Sequence, residues 1–453
     1  MGEVTRAPGP GLLKFLWGVR RLGFLAEVSA LWREHGDVFQ VGSGAKTLLF
    51  AMHPEHVKYV NVSRRDNYDK GATYDDVRDY ISGAGLVAST GEIWRRQRKL
   101  MAPFFTPANI RTYAGLMIRD AEALAERWAE RSARGEEIDM AEEMTQVTAA
   151  IILASMFGGE VQLPIDRIRE AVEVMVAFVD RRRIAPTPPL WVPTPLNRRY
   201  LRVREFTYRA IPEIIAARRA SDPATWPDDL LSRLMNARDE DTGEPMSETL
   251  LRDETLTIFF AGHETTARTM TFVWYALAAN PDVEARLHAE LDEVLGGRSP
   301  TVEDLRRLPY TLRVIKEVLR LYTAVPIYVR NAIAADTLGG YDVAPGTPVM
   351  MSSYHTHRHP EFWPDPERFD PERWTPEREA ERHRYAYHPF AAGPRVCIGN
   401  NFSMLESHLL LAVLGQRFRP RLREGYVPEW EMRGLLGLAN GLPMQLERRR
   451  RER

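Results

Sequence analysis

A helical stretch over 247–280 that is apolar nearly all round constrains this chain most. Leu256, Ile258, Phe259, Phe260, Met270, Phe272, Val273 and Trp274 leave no broad polar stripe, and Pro281 stops the pattern. At 1.5 Å per residue such a helix spans about 50 Å, and with no face suited to water it must run through the middle of a body. Ala, Leu, Arg and Glu dominate from 92 to 321, so its surroundings are expected to be helical as well. Short strands are expected at 38–41 and 47–50 around Gly42-Ser43-Gly44. More are expected at 328–334 and 349–353, with turns at Gly339-Gly340 and Ala344-Pro345-Gly346-Thr347. A last helix is expected over 400–418. The fold class is mainly α with a small β region.

The chain has 453 residues, and 61 Lys+Arg against 62 Asp+Glu give a net charge of −1. That balance excludes the basic excess of a nucleic-acid binder. Length alone would allow about three domains. The Pro-rich stretch at 186–195 reads equally as a linker or as a loop over a pocket, and neither flank carries its own motif set. The longest apolar run, 147–159, falls short of the ~18–20 residues that cross a bilayer. The earlier run at 12–22 is broken by Lys14, Arg20 and Arg21 and lacks a cleavage site, so no integral membrane segment or signal peptide is expected. A cytoplasmic location is the default. The first helix is expected to pack on the body, and the other reading of 12–17 with its flanking cations is contact with a membrane surface.

There is one cysteine, Cys397, so no intrachain disulfide and no multi-cysteine zinc or iron–sulfur site can form. It sits in Phe390-Ala391-Ala392-Gly393-Pro394-Arg395-Val396-Cys397-Ile398-Gly399. Gly393 permits a turn, Gly399 permits close approach, and a helix starting just after the thiol favours thiolate. A thiolate shielded by Phe390 suits an axial haem ligand and favours O–O cleavage, and Arg395 is placed to neutralise a haem propionate. The alternatives are an inert buried thiol and a nucleophile with a histidine base.

Midway along the central helix stands Ala261-Gly262-His263-Glu264-Thr265-Thr266. Glycine inside a helix costs roughly 1 kcal/mol, and room for O2 beside Gly262 is one reason to keep it. Thr265 can bond back to the Ala261 carbonyl, and an acid beside an alcohol can relay protons. His263-Glu264 also opens a zinc-protease pattern, which fails because position 267 is alanine. His355, His357 and His359 alternate as on one strand face, but spacing places no carboxylate or cysteine with them, so packing is the better reading.

The cysteine segment resembles the haem-binding signature of the cytochrome P-450 superfamily, Phe-x-x-Gly-x-Arg-x-Cys-x-Gly, with Ala391 where the family more usually has glycine or another small polar residue. The central hexapeptide resembles the family's Ala-Gly-x-Glu/Asp-Thr-Thr. Three further motifs match in order: Trp94-x-x-x-Arg98, Glu317-x-x-Arg320, and Pro371-Glu372-Arg373-Trp374. The resemblance implies one haem-thiolate monooxygenase domain over 1–453, shaped like a triangular prism with the long helix over the haem. It implies haem b held by Cys397, with Trp94, Arg98, Gly262, Arg330, Phe390, Arg395 and Gly399 around it. Glu264 and Thr265 would assist O–O scission, and Glu317, Arg320 and Arg373 would form a structural network. The implied reaction inserts one atom of O2 into an apolar small molecule by hydroxylation or epoxidation. Only 56 residues follow Cys397, so electrons are expected from a separate ferredoxin or flavodoxin with its reductase. The implied pocket draws on 68–93, 259–261 and 324–328. Two other functions stay open: a peroxide-driven hydroxylase and a non-catalytic haem-binding sensor. Arg95, Arg96 and Lys99 read as a solvated basic face, with docking of an acidic electron-transfer protein as the alternative.

Overall fold

The structure, a computed structural model, describes residues 5–158, 165–184 and 187–449. The chain forms two compact units that interleave in sequence: Met1–Asp75 with Lys316–Cys397, and Asp76–Ile315 with Ile398–Arg453.

The first unit is built on a five-stranded sheet. Val38–Val41 pairs antiparallel with Leu48–Ala51, which runs parallel to Pro348–Met351. Tyr328–Ala332 follows antiparallel, and Tyr68–Asp69 closes the other edge. The hairpin at Gly42-Ser43-Gly44 forms as expected: Gly42 has φ +84°, and a Cβ there would lie 2.3 Å from the Lys46 carbonyl oxygen. Gly339 and Gly340 likewise turn Asp336–Leu338 into Tyr341–Val343 with positive φ. Alternation sends Leu49, Val349 and Met351 to one core with Val38, Val57 and Tyr68. Phe39 and Phe50, paired in register, stack at 4.8 Å on the other side, where Phe15, Val28 and Leu31 of the first two helices cover them. Each such fully buried side chain contributes roughly 1.5–3 kcal/mol.

The second unit is organised around Glu248–Ala279, 32 residues long, capped at its N-terminus by Ser247. It packs most extensively on Met140–Phe157, another helix buried on nearly every side. Ala114–Ala133, Pro281–Leu295 and Asn400–Gly415 complete the bundle. Trp128 anchors it, edge-on to Trp274 at 5.9 Å and to Phe418 at 5.5 Å, with its indole N–H donated to Glu143 at 2.9 Å. A three-stranded sheet of Glu137–Asp139, Pro443–Arg448 and Phe418–Leu422 stands beside a hairpin of Trp430–Arg433 and Leu435–Leu438. The sequence reading did not anticipate these strands. The Pro-rich stretch falls inside this unit, and Pro186 lies outside the described residues. Among the described residues no helix is long and apolar enough to cross a membrane.

Candidate functional site

The cysteine loop is closed on itself in the first unit. Cys397 N donates to the Phe390 carbonyl at 2.9 Å, Val396 N to Gly393 O at 3.0 Å, and Ala391 N to His388 O at 3.1 Å. Gly393 has φ +69°, and a Cβ there would lie 2.0 Å from the Asn61 carbonyl oxygen, so only glycine fits. Asn61 is itself held, its side-chain amide donating to Val57 O at 2.9 Å and to Met351 Sδ at 3.0 Å. Ala391 adopts φ +61°, the left-handed region that glycine occupies freely and alanine does not. The loop therefore keeps its turn at a cost of about 1 kcal/mol. Gly399 has φ −85° and caps Asn400–Gly415, so left-handed freedom is not its purpose. Cys397 is exposed, which removes the inert buried cysteine.

Basic side chains cluster beside that loop. Arg395 ion-pairs with Asp69 on the edge strand. Buried Arg330, from the neighbouring strand, donates to Val329 O at 2.8 Å and lies over the Tyr328 ring. Among the described residues it meets no carboxylate. Lys70, which the motifs did not single out, is held well below the usual lysine pKa by burial first and then by Arg330 and Arg395, while Asp69 and Cys397 oppose the shift. An accessible thiol beside three basic side chains and one carboxylate suits an iron macrocycle that carries its own carboxylates. The residues present fit haem.

The central helix opens where the motif lies. Buried positions run from Thr255 to Phe259, yet Ala261 is exposed and Phe260, Gly262, Glu264 and Thr265 are half-buried. Thr265 Oγ1 donates to Ala261 O at 2.9 Å and Thr266 Oγ1 to Gly262 O at 3.3 Å, back-bonds that bend a helix. Thr148 from the adjoining helix reaches His263 O at 3.1 Å. Gly262 has a packing reason as well, since a Cβ there would come within 3.0 Å of Ile152 Cδ1. His263 is buried, stacked on Phe259 at 4.9 Å, and its pKa is lowered by that burial. Glu264 is tied to Arg268, Nε to Oε1 at 2.8 Å, and Arg268 also reaches Leu436 O at 3.4 Å and Glu431 at 3.9 Å. A Cβ on Gly437 would sit 1.5 Å from Arg268 Nη1, so a larger residue there would displace the guanidinium. Glu264, Arg268, Glu431, Arg433 and Glu142 line a cleft of about 410 Å³.

Behind the motif lies a group that no spacing rule singles out. Glu406 on Asn400–Gly415 is buried with neither carboxylate oxygen hydrogen-bonded, and burial drives its pKa well above the usual range, with Thr266 opposing in part. Thr266 Oγ1 is also 3.1 Å from Ser403 Oγ. Glu406 therefore stands beside Thr266, the residue that follows the acid–alcohol pair.

The supporting motifs resolve differently. Glu317 and Arg320 form a fully buried two-point pair at 2.8 and 2.9 Å. Arg320 spends its other donors on the carbonyls of His357, Pro366 and Arg368, and Trp374 Nε1 and Asp370 N donate to Glu317. Arg373 Nε lies 3.4 Å from Glu317, and its Nη2 donates to Asp365 O. Trp94 and Arg98 are half-buried on Gly91–Met101. Their neighbours are neutralised: Arg95 by Glu92, Arg96 by Asp239, and Lys99 by Glu240 and Asp241. That weakens the docking alternative for this face.

The three histidines are packing residues. His355 bonds Ser29 and Ser352, and His357 bonds Arg320 O and His388 N. His359 meets Asp37 and His53, with one ligand atom of each within 4.8 Å. However, Nδ1 of His53 and of His359 accepts a backbone N–H, from Glu55 and Glu361. The ring proton then sits on Nε2, which faces the carboxylates as a donor instead of offering a metal a lone pair. Burial opposes the effect, but hydrogen bonds from His359 and Trp32 hold the Asp37 carboxyl at about 2.

Known proteins agree with this arrangement. The sequence matches the Cytochrome P450 family over residues 6–444. It is 37% identical over 408 residues to cyclooctat-9-en-7-ol 5-monooxygenase of Streptomyces melanosporofaciens, covering 90% of this chain and 86% of that one. It is 34% identical to pentalenene oxygenase of Streptomyces avermitilis over 88% of this chain and 87% of that one. The crystal structure of the cytochrome P450DA heme domain superposes with a TM-score of 0.85 at 26% identity, covering 99% of both chains. With sequence match, fold and cysteine loop in accord, the chain belongs to the cytochrome P450 family and is a haem-dependent monooxygenase that uses O2 and electrons from a redox partner.

Proposed function

We propose that this enzyme oxygenates an apolar cyclic terpenoid in the cytoplasm as one catalytic domain, with a ferredoxin or flavodoxin and its reductase supplying electrons. The substrate class is supported by the two relatives, whose names give cyclooctat-9-en-7-ol and pentalenene, both apolar terpenoids.

The observation that carries the site assignment is the exposed Cys397 on a loop closed by its own backbone, among Lys70, Arg330 and Arg395. Cys397 holds the iron as thiolate. Arg330 and Arg395 neutralise carboxylates of the cofactor, and the family motif assigns Trp94 and Arg98 to the same task. Phe390 and Gly399 flank the ligand. When bound, haem with a thiolate ligand activates O2 for insertion of one oxygen atom. Thr265, its hydroxyl returned to Ala261 O, passes protons next to Gly262, and Glu264 replenishes them from the cleft it lines. Glu317, Arg320 and Arg373 hold the elements that lead into the cysteine loop.

The test is spectroscopic. Reduced protein with CO is expected to give the red-shifted Soret band of thiolate-bound haem, and Cys397→Ser to lose it; a variant that kept the band would remove Cys397 as ligand. A panel of cyclic terpenes, fatty acids and steroids is then titrated for displacement of the iron's water ligand. A response confined to fatty acids would overturn the substrate class. Product formed with peroxide alone, and none with an electron donor plus O2, would overturn the redox-partner assignment.

A further inference from the structure

The helix Leu12–Leu22 has two faces, and among the described residues only one of them packs on the fold. Phe15 and Gly18 are buried: Phe15 meets Phe24 edge-on at 5.9 Å, and Gly18 leaves room for the Glu27 side chain, which a Cβ would meet at 2.2 Å. The opposite face carries Leu13, Trp17 and Leu16, exposed by 84%, 61% and 48%, and Leu22 at the helix end is exposed by 46%. Ten large apolar side chains are exposed among the described residues, and these four stand on one helix of 11 residues. Such concentration differs from the scattered single leucines of an ordinary surface.

The charges on the same face say what covers it. At 100° per residue, Leu16, Arg20, Leu13, Trp17, Arg21 and Lys14 follow one another across about 160° of the outward surface. The helix contains no acid, and Arg21 lies over the Trp17 ring at 4.9 Å. Glu27 packs toward the inner face, against Gly18. Apolar anchors, an indole and flanking cations on one short helix match the interface of an anionic bilayer, where long basic side chains reach headgroups while leucines enter the acyl boundary. A basic protein partner would be repelled, and an acidic one would leave three apolar side chains unmatched.

We propose that this helix seats the enzyme on anionic lipid surfaces, lying in the interface without spanning it. Such seating places an oxygenase where apolar substrates concentrate.

The haem-loaded chain is spun with vesicles of phosphatidylcholine alone and of phosphatidylcholine with phosphatidylglycerol. Wild type is expected to pellet with the anionic vesicles at least ~10-fold better than with the neutral ones. Leu13→Ser/Leu16→Ser/Trp17→Ser and, separately, Lys14→Gln/Arg20→Gln/Arg21→Gln are each expected to lower that partitioning at least ~10-fold. All six side chains point outward, so the CO spectrum and melting temperature of both variants should match wild type. Brominated lipid is expected to quench indole fluorescence less in Trp17→Phe. Wild type that stays in the supernatant, or variants that pellet equally, would overturn the proposal. A wild-type dimer that the serine variant abolishes, without lipid binding, would assign the face to a second copy instead.

Discussion

Arg268 Nε lies 2.8 Å from Glu264 Oε1, one helical turn further on, and this pair sets where the motif's carboxylate points. Thr265's hydroxyl bonds its own helix instead. In the proposed relay, proton delivery would depend on a carboxylate held from the cleft side. Glu264→Gln is expected to lower turnover about 100-fold while leaving the substrate-binding spectrum unchanged. Arg268→Ala should cost less, because the acid survives but loses its anchor. Gly437→Ala should reproduce the Arg268→Ala phenotype, since the added methyl takes the space of Arg268 Nη1. Coupling of electrons to product and the solvent isotope effect are the readouts.

Two neighbouring loop positions should respond in opposite directions. Ala391→Gly relieves a left-handed alanine and is expected to stabilise the protein by up to about 1 kcal/mol in urea unfolding. Gly393→Ala places a methyl against the Asn61 carbonyl and should abolish haem retention, visible as loss of Soret absorbance after gel filtration.

Breaking the Glu317–Arg320 pair leaves an uncompensated buried charge. Arg320→Ala or Glu317→Ala is expected to cost ~3–5 kcal/mol in unfolding free energy. Arg320→Lys should not rescue, because an ammonium cannot serve both oxygens of Glu317 and three carbonyls at once.

Two buried groups make opposite pH predictions. Burial, with Arg358 nearby, lowers His355 to about 3, so below its ordinary value of 6.5 the unfolded chain takes up a proton that the native state refuses. Stability should fall as pH drops from about 6.5 toward 3, by roughly 1.4 kcal/mol per pH unit for this histidine. Glu406 is raised, so above 4.5 the unfolded chain loses a proton that the native state keeps, and stability falls as pH rises. The stability of Glu406→Gln relative to wild type should therefore grow with pH above about 4.5, measured by urea midpoints across pH 4–8.

The central helix and the turn of the cysteine loop were legible because their physics restricts residue type: an all-round apolar run can only be interior, and Gly393 stands where no side chain fits. Glu317–Arg320 shares its spacing with Glu92–Arg95, which is an exposed pair of the same 2.8 Å length, and only tertiary burial separates the two. Glu406 reads as an exposed residue in a polar trio with Ser407 and His408, yet the helices around it bury all three. The strands after Arg417 escaped notice because Arg419, Pro420, Arg421 and Pro443 mask alternation, and Pro443–Arg448 pairs with Glu137–Asp139, some three hundred residues away. Gly262 reads as space for a ligand, while its contact with Ile152 belongs to packing that no local pattern reveals.

The parallel pairing of Leu49 with Val349 has a consequence for synthesis. A ribosome adding 5–20 residues per second releases the second strand roughly 15–60 s after the first. Throughout that interval the nascent Val38–Ala51 hairpin has an open edge and an uncovered apolar face, which makes it a natural client for chaperones. Cys397 emerges later still, so cofactor loading must wait until nearly the whole chain has left the tunnel, and truncated products should accumulate as colourless, aggregation-prone protein.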